Sequence, residues 1–532
     1  MIMKKIYLLA ALSILPGLSL AQSSFDGERV AEQDLKGTAR FMSMAGSFAA
    51  LGGDLSTLSQ NPGGIGIYRS SEVGFTLNLD IQSANAKSQG MDMSNGQTKF
   101  LLNNIGGVAT FNFNSSAMPN FNIGFTYNKS ASFNRTYEGG IPTLHNSMSN
   151  YIAGVTNSFG PSLKQIQDDD YYGDTPWISI LGYDSYLISP VGNEDNPDWV
   201  GQWGDGTSGS GRFMSSEKGA VDEYNIALGG NFGDVVFWGM DFGIIDMNYT
   251  AETRWIENLD NAWVSNPNNV IERTKANWNL YNYYRMSGSG FNYKLGFIVK
   301  PIQELRLGFA FHTPTWYSID QAYYGEVNYD YDNGIRGDYA CTNGGYDGVS
   351  SFNLRTPWRL IFGASGVIGK QLIVSANYEW TPTHSIHFSD DYTDGDFNNP
   401  YYETNLDAKN YFGCTNTVSL GAEYRVTPQF SVRAGYRYVS SPVKSELKDN
   451  QLDVYTAGTR PQYVLSDATN YITCGLGYRY KKFYADLAYV YKHKSATFHG
   501  FTPDPSSPDI PSPQADLSLT NNQIVLSMGF RF

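Results

Sequence analysis

The feature that most constrains this chain is a strict alternation of apolar and polar side chains in long runs. Between residues 524 and 532 every second residue is apolar, and mostly small or polar residues lie between them. The same alternation fills residues 305–311, 372–380 and 430–438. A period of two predicts β-strands with one apolar face. These runs approach the roughly 9–11 residues of a membrane-crossing strand, whereas soluble strands cluster near about 5–6.

The connections between the predicted strands alternate between short and long, which is typical of a membrane β-barrel. The sequence therefore predicts an all-β fold, an antiparallel transmembrane barrel of about fourteen strands with an N-terminal plug. Short connections fall at 115–119, 231–235, 300–303, 369–371, 426–429 and 480–483, and long ones near 84–100, 133–221, 251–286, 331–349, 390–410, 441–468 and 498–520. The predicted strands are 70–83, 101–115, 119–132, 222–234, 235–250, 286–300, 303–330, 350–368, 370–389, 411–426, 429–440, 469–480, 483–497 and 521–532.

Composition favours the same fold. Charged residues make up 17% of the chain, compared with about 25% in typical soluble domains. Aromatic residues make up 15%, which suits a lipid-facing surface with interfacial girdles. A net charge of -14 makes nucleic acid a poor partner. No apolar stretch after residue 22 is long enough for a membrane helix, so a helical membrane protein is excluded.

The first residues have the pattern of a secretory signal. Lys4 and Lys5 precede an apolar run at residues 6–15, and small residues occupy 19 and 21. This order predicts a signal peptide at residues 1–21 and a mature chain that begins near Gln22. The location predicted for the mature protein is the outer membrane of a Gram-negative cell.

Residues 22–69 do not follow the strand pattern and are predicted to form a plug, or hatch, ahead of a barrel at 70–532. A disordered leader is the alternative, but the apolar content of residues 41–58 disfavours it. Asn61, Pro62, Gly63 and Gly64 close this segment and are predicted to form its gating bend. Pro62 fixes its own φ and biases the residue before it, and the two glycines permit positive φ.

Two charged residues are predicted to meet in the lumen. Glu423 and Arg433 flank a short turn, and if Val426 pairs with Phe430, they lie directly opposite each other on the polar face. A structural role for this charge pair is favoured over ligand binding.

The last strand ends in aromatic residues. Phe530 and Phe532 resemble the C-terminal signal that the outer-membrane insertion machinery reads during assembly. That machinery is therefore a predicted partner of the chain.

The sequence contains no convincing catalytic or metal motif, so neither an enzyme nor a cofactor is predicted. His384 and His387 are three apart on a predicted strand, where they point to opposite faces. Acidic runs at 168–170 and 390–396 are read as solvated loops, with calcium binding as the alternative. The cysteines are read as three isolated thiols, with a bridge between two of them as the alternative; they are Cys341, Cys414 and Cys474.

Several short motifs, taken in order, resemble the FadL/TodX family of outer-membrane transport proteins in the form common in Bacteroidetes. The family's Asn-Pro-Ala hatch motif corresponds to residues 61–63, where Gly63 replaces Ala. The matching stretches are 37–40, 49–54, 61–64, 305–309, 313–315, 355–359, 421–424, 432–436, 475–480 and 486–489.

The resemblance implies a fourteen-stranded barrel with a hatch, which takes up long-chain fatty acids or aromatic hydrocarbons. In the family, the ligand leaves sideways through a gap made by a kink in the third strand. The leading prediction is passive uptake of a hydrophobic or amphipathic small molecule, with extracellular loops, a periplasmic N-terminus and surrounding outer-membrane lipid. The ligand would be held by apolar side chains above the hatch and released as the hatch shifts. The alternative is a non-transport role, as a type IX secretion shuttle of the PorV kind, a surface adhesin or a haemin-binding protein.

Overall fold

The computed structural model describes residues 23–113, 115, 117–266, 270–333, 335, 339–390, 399–448, 454, 458–502 and 512–532. The predicted signal peptide at residues 1–21 lies outside these residues. So does most of the acidic run that was read as a loop surface near residue 390.

Fourteen antiparallel strands close into one barrel, as the alternation predicted. Each strand pairs with its neighbours in sequence, and β1 closes the barrel against β14, with Glu72 opposite Arg531. The strands are β1 Glu72–Ser88, β2 Met91–Asn112, β3 Asn120–Ser132 with Arg135–Ile141, β4 Ser208–Phe232, β5 Val236–Ser265, β6 Ile271–Ile302, β7 Leu305–His312 with Trp316–Tyr331, β8 Gly348–Arg355 with Arg359–Ile368, β9 Leu372–Thr381, β10 Thr415–Arg425, β11 Phe430–Val439, β12 Tyr463–Tyr480, β13 Phe483–His499 and β14 Gln514–Arg531.

Several segments that were predicted as long loops are strand. β1 and β2 continue to a tight turn at residues 89–90, and β5 and β6 run 30 and 32 residues. The sequence hides these extensions because their outer faces are polar, so the apolar alternation fades. Arg254, Asn258 and Asp260, for example, are exposed on the extension of β5. The predicted bend near Pro314 is the break between the two halves of β7.

Short helices lie inside the barrel and at its long-loop end. The first three belong to the N-terminal segment and are followed by a 3-10 helix, Pro62–Ile67. The others lie in the loops. None of the helices in the described residues is long and apolar enough to cross a membrane. The helices are α1 Ser24–Ala31, α2 Ala39–Ser43, α3 Thr57–Gln60, α4 Met148–Phe159, α5 Leu163–Gln167, α6 Trp177–Asp184, α7 Tyr402–Tyr411 and α8 Ser445–Lys448.

The long-loop end of the lumen is filled by a packed aromatic cap. α4 and α6 bury their apolar faces against the upper strands. Phe213 stacks on Phe498 with ring centroids 3.8 Å apart, and Trp255 packs edge-on against Phe501. The cap thus joins the loop helices to the upper ends of the strands.

The structure also bears on the predictions for His384 and for the three cysteines. His384 does not lie on a strand, because β9 ends at residue 381 and a short 3-10 helix, Thr383–Ser385, follows. Cys341, Cys414 and Cys474 are free thiols in this structure.

Candidate functional site

The N-terminal segment lies inside the lumen and has two parts with different chemistry. We call residues 23–36 the arm and residues 37–69 the collar, and together they form the hatch. The arm contains α1 and is joined to the wall largely by charged side chains. The collar contains α2 and α3 and is joined to the wall by close backbone packing.

Glycines on the lumen face of the barrel let the collar backbone approach the wall. A Cβ added at Gly308 would overlap the carbonyl of Ala49, and one at Gly296 would overlap the side chain of Asn61. Glycine leaves room for this close approach, which any other residue would block. The strand glycines packed against the collar in this way are Gly239, Gly296, Gly308, Gly363, Gly421, Gly435 and Gly475.

The predicted gating bend, residues 61–64, lies against this wall. Asn61 accepts a hydrogen bond from Gly63 N–H at 3.0 Å and donates to the carbonyl of Phe297 at 3.2 Å. Gly63 and Gly64 do not use the positive φ that glycine permits, since neither is among the positive-φ residues. Gly63 is needed for space instead, because a Cβ there would come within 2.9 Å of the backbone of β6, while Gly64 abuts Gly52 and Thr57.

The predicted lumen charge pair forms part of a larger network with the collar. Glu423 lies opposite Arg433, and its Oε2 accepts a hydrogen bond from Arg433 Nε at 2.7 Å. Arg40 of the collar donates to the same oxygen at 2.9 Å, and Arg433 also donates to Asp486 at 2.6 Å. The pair therefore anchors the collar to β10, β11 and β13.

The arm is held by ion pairs to the barrel wall. Lys494 of β13 donates to Glu32 at 3.0 Å, and Lys492 of the same strand donates to Asp34 at 3.3 Å. Near the start of α1, Arg460 donates to Asp26 at 3.1 Å. Although burial opposes ionisation, Lys494 and Lys492 hold the pKa of Glu32 well below its usual range.

A second basic–acidic group holds the other side of the arm. Glu217 of β4 accepts hydrogen bonds from Arg29 of the arm and from Arg135 of β3, the latter at 2.7 and 2.9 Å. Lys36, at the end of the arm, donates to Asp80 of β1 at 3.1 Å.

The charges of arm and wall cancel. The arm carries four acidic and two basic side chains. Its wall partners comprise four basic and two acidic side chains: Arg135, Arg460, Lys492, Lys494, Glu217 and Asp80. If the arm left, the wall would keep an excess of two positive charges in a partly dehydrated lumen, where uncompensated charge is costly.

An aromatic box encloses the ring of Phe25 on the arm. Its centroid lies 5.8 Å from Tyr411, 5.8 Å from Phe412 and 6.0 Å from Tyr463. Arg460, which donates a hydrogen bond to the neighbouring Asp26, lies in the same part of the lumen. The arm thus places an apolar ring in an aromatic box and carboxylates beside cations.

The hydrogen-bonded pairing of β2 and β3 covers only part of their length, and we call the unpaired stretch of the wall the side window. The two strands pair only from Asn104 opposite Asn128 to the short turn. Above that pair, β2 is paired with β1 alone, and the second half of β3 pairs with β4 alone. β3 breaks at residues 133–134 and its upper half crosses to the inner side of the β1–β2 turn, where Gly140 lies against Met91.

A cavity of about 100 Å³ lies behind the side window. Gln97 of β2 and Asn134 at the β3 break line its outer side, and the arm lines its inner side. Two further cavities, of about 60 and 70 Å³, flank α1. Charged and amide side chains line these spaces together with apolar ones such as Phe133 and Leu519, and the aromatic box that Phe25 fills is a further apolar surface.

The arm and its wall partners were not predicted as candidate site residues from the sequence. Lys492 and Lys494 stand two apart on a predicted strand, and this spacing alone places both on one face. Their partners at residues 26–34 were not singled out, because ion pairs between a plug and a wall more than 400 residues away leave no local pattern.

The sequence profile of the family described as outer membrane protein transport protein (OMPP1/FadL/TodX) matches residues 238–530, which is more than half of the chain. The chain belongs to this family. It is thus an outer-membrane transport protein with a β-barrel fold, in a family of transport channels rather than enzymes. No curated protein matches the chain significantly in sequence.

Three solved structures are similar to this chain, and the first of them shares its fold. A FadL homologue of Pseudomonas aeruginosa is 13% identical with a TM-score of 0.52, over 94% of this chain and 99% of that one. The Pseudomonas putida toluene transporter TodX is 12% identical with a TM-score of 0.49, over the same shares. The Ralstonia pickettii toluene transporter TbuX is 14% identical with a TM-score of 0.46, again over 94% and 99%.

Proposed function

We propose that the chain is a passive channel for an amphipathic small molecule with a negatively charged headgroup. The single observation that carries this proposal is the arm itself. It sets carboxylates against Lys492, Lys494 and Arg460, and an aromatic ring in the box beside them. A ligand with an acidic head and an apolar body would satisfy both surfaces in the arm's place.

Electroneutrality supports this choice of ligand over an uncharged hydrocarbon. Displacing the arm exposes the cations of the wall, and a neutral ligand would leave them uncompensated. An anion restores the balance. An uncharged aromatic hydrocarbon would not restore it.

The side window is the proposed passage between the lumen and the membrane. It opens above the Asn104–Asn128 pair, where the outward-facing Phe100 and Leu102 mark an apolar rim. A ligand that has passed the aromatic cap and reached the cavity behind the side window would leave by that window without a further movement of the cap. The upper half of β3, which is paired on one side only, is the edge most easily displaced.

We propose that the short-turn end faces the periplasm and the long loops face the outside, as membrane barrels of this kind are built. Outer-membrane lipid would contact the exposed apolar belt. Phe530 and Phe532 are exposed at the short-turn end, at 45% and 58%, where the insertion machinery would have access to them.

Within the hatch, we assign gating to the arm and anchoring to the collar. Asn61, Pro62 and Gly63 would then hold the collar against wall backbone, and Gly64 would let the collar pack closely on its own Gly52. The pair Glu423 and Arg433 would do the same through Arg40.

Uptake by whole cells tests the proposed function. Cells that lack their own fatty-acid channel are given the protein and then radiolabelled dodecanoate or dodecane at equal concentration. We expect dodecanoate uptake to rise at least five-fold over cells with an empty vector. Uptake that stays at the background rate for both compounds, with folded protein in the outer membrane, would move the non-transport role ahead.

A further inference from the structure

Phe25 and Asp26 of the arm are consecutive residues that occupy two neighbouring sites of different chemistry. The Phe25 ring lies in the aromatic box, and the Asp26 carboxylate accepts hydrogen bonds from Arg460 at 3.1 and 3.3 Å. Asp26 is buried and Phe25 is half-buried. The two residues therefore hold a planar ring and a carboxylate at a short separation inside the protein, which are the two groups of a small aryl acid.

The aromatic box surrounds the Phe25 ring with rings in two orientations. The rings of Tyr411 and Tyr463 are nearly parallel to it, at interplanar angles of 23° and 20°, and the Phe412 ring is edge-on at 89°. All three side chains of the box are buried. Offset-stacked and edge-on contacts are the arrangements that aromatic rings prefer. The box thus offers a planar ring three contacts that a saturated chain or ring cannot reproduce.

The barrel wall fixes one side of this box. Tyr463, at the start of β12, pairs with His499 at the end of β13. The two rings stack with centroids 4.6 Å apart and an interplanar angle of 8°, and His499 is buried. Strand pairing therefore sets the position of the Tyr463 ring, and this side of the box does not depend on Phe25.

Arg460 is the cation that faces the acid group. Its guanidinium lies over the Tyr284 ring, 3.8 Å from the centroid, and the Tyr284 hydroxyl donates to Gln321 at 3.0 Å. A guanidinium on an aromatic face keeps its N–H groups available in one plane for a carboxylate. Asp26 also accepts a hydrogen bond from the Ser23 N–H at 2.9 Å, at the beginning of α1. When the arm leaves, Asp26 leaves with it, and Arg460 becomes free to bind another acid.

The covalent path between the ring and the carboxylate limits the length of a ligand that could replace them. Six atoms separate the Phe25 ring from the carboxyl carbon of Asp26: Cβ, Cα and C of Phe25, then N, Cα and Cβ of Asp26. Because both residues lie in α1, this path is coiled and spans less than an extended chain of six atoms. A cavity of about 60 Å³, lined by both residues and by Arg460 and Tyr463, adds room beside it.

We propose that the arm's site takes an ω-arylalkanoate, a carboxylic acid whose planar ring is separated from the acid group by up to six carbons. The ring would replace Phe25 in the aromatic box, and the carboxylate would replace Asp26 on Arg460. An unbranched fatty acid could use Arg460 but would gain no ring stacking in the box. This inference rests on the proposed function, because the arm must leave before any ligand can occupy its site.

A comparison of a planar ring with a saturated ring tests the inference. Equilibrium dialysis against the detergent-solubilised protein, with protein-free micelles subtracted, gives Kd for radiolabelled 7-phenylheptanoate, 7-cyclohexylheptanoate and dodecanoate. We expect the phenyl compound to bind at least five-fold more tightly than the cyclohexyl compound. Hydrophobic transfer alone gives the opposite order, because the saturated ring is the more apolar. Equal Kd values for the two rings, or tighter binding of the cyclohexyl compound, would overturn the inference.

Two variants locate the preference in the box. Tyr463→Leu should reduce the phenyl preference to less than two-fold, and Tyr480→Leu, the same change at an exposed position of the same strand, should leave it unchanged. Phe25→Ala removes the internal ring and should tighten binding of the phenyl compound at least five-fold, which keeps the test decisive if Tyr463→Leu does not fold. A preference that survives Tyr463→Leu, or an unchanged Kd in Phe25→Ala, would overturn the inference.

The dodecanoate measurement separates this inference from the proposed function. Binding of dodecanoate without any preference for the phenyl ring would overturn the inference alone. Absence of binding for all three compounds would contradict the proposed function and the inference together.

Discussion

Gly296 of β6 lies so close to Asn61 of the collar that a Cβ at Gly296 would overlap the Asn61 side chain and come within 2.7 Å of the Gly63 nitrogen. The wall and the collar are therefore fitted to each other at the level of the backbone. Because of this close fit, we assign residues 61–64 the role of anchoring the collar rather than the role of a hinge.

Substitution of Gly296 is expected to release the collar. Gly296→Val should lower the unfolding temperature by several degrees and speed proteolysis of residues 37–69, because overpacking typically costs about 1–3 kcal/mol. Gly366→Val is the matched control, since a Cβ at Gly366 meets nothing closer than 3.8 Å. Equal behaviour of the two variants, measured by heat-modifiable gel migration and limited trypsin digestion, would contradict the anchoring role.

Removal of the Arg433 charge is expected to destabilise the barrel. Arg433→Met leaves Asp486 without its buried partner and weakens the site of Glu423, and loss of one member of a buried pair costs about 3–5 kcal/mol. Lys87→Met breaks an exposed pair with Asp92 and should cost less than about 1 kcal/mol. Urea unfolding in lipid vesicles measures both. If the free energies of unfolding of the two variants differ by less than about 1 kcal/mol, the network around Arg433 is dispensable for stability.

The cap is expected to depend on pH through Glu257. Glu257 accepts hydrogen bonds from Ser147, the Met148 N–H and Trp255, and it lies on β5 well beyond the apolar belt. Burial raises its pKa to about 7. The folded cap therefore favours the protonated form.

Protonated Glu257 contributes fully to the stability of the cap below the ordinary pKa of a glutamate, and this contribution is lost as pH rises through about 7. Hydrogen exchange in α4 should then be slower at pH 5 than at pH 8, after correction for intrinsic rates. Glu257→Gln should remove most of this difference. A pH dependence of the same size in that variant would assign it to other groups.

Deletion of Phe532 is expected to reduce assembly. The Phe532 N–H donates to the Ser71 carbonyl at 3.0 Å and its carbonyl accepts from Ser71 N–H at 3.1 Å, which completes the closure of β1 on β14. Its ring is exposed and stacks on Phe530, with centroids 6.3 Å apart. The amount of heat-modifiable protein in outer-membrane fractions should fall several-fold, and an unchanged amount would argue against a recognition signal.

The barrel could be predicted from the sequence because lipid on one side and a polar lumen on the other impose a period of two on every strand. Glu423 and Arg433 could be placed for the same reason, since a short turn fixes the register of their strands. The arm's ion pairs could not be predicted, because Glu32 and Lys494 are 462 residues apart and neither lies in a recognisable motif. The strand extensions beyond the apolar belt were missed because water faces them on the outside.

If the arm occupies the site of an anionic ligand, the arm and the ligand compete for that site, and the Kd of the ligand reports this competition directly. Equilibrium dialysis of radiolabelled dodecanoate against detergent-solubilised protein gives Kd for three proteins: unmodified, Glu32→Gln/Asp34→Asn, and Lys492→Gln/Lys494→Gln. Removing the arm's carboxylates should tighten binding at least five-fold, because the internal competitor is weakened. Removing the lysines should weaken binding at least five-fold. Equal Kd values for all three proteins, or changes in the same direction for both variants, would contradict the account.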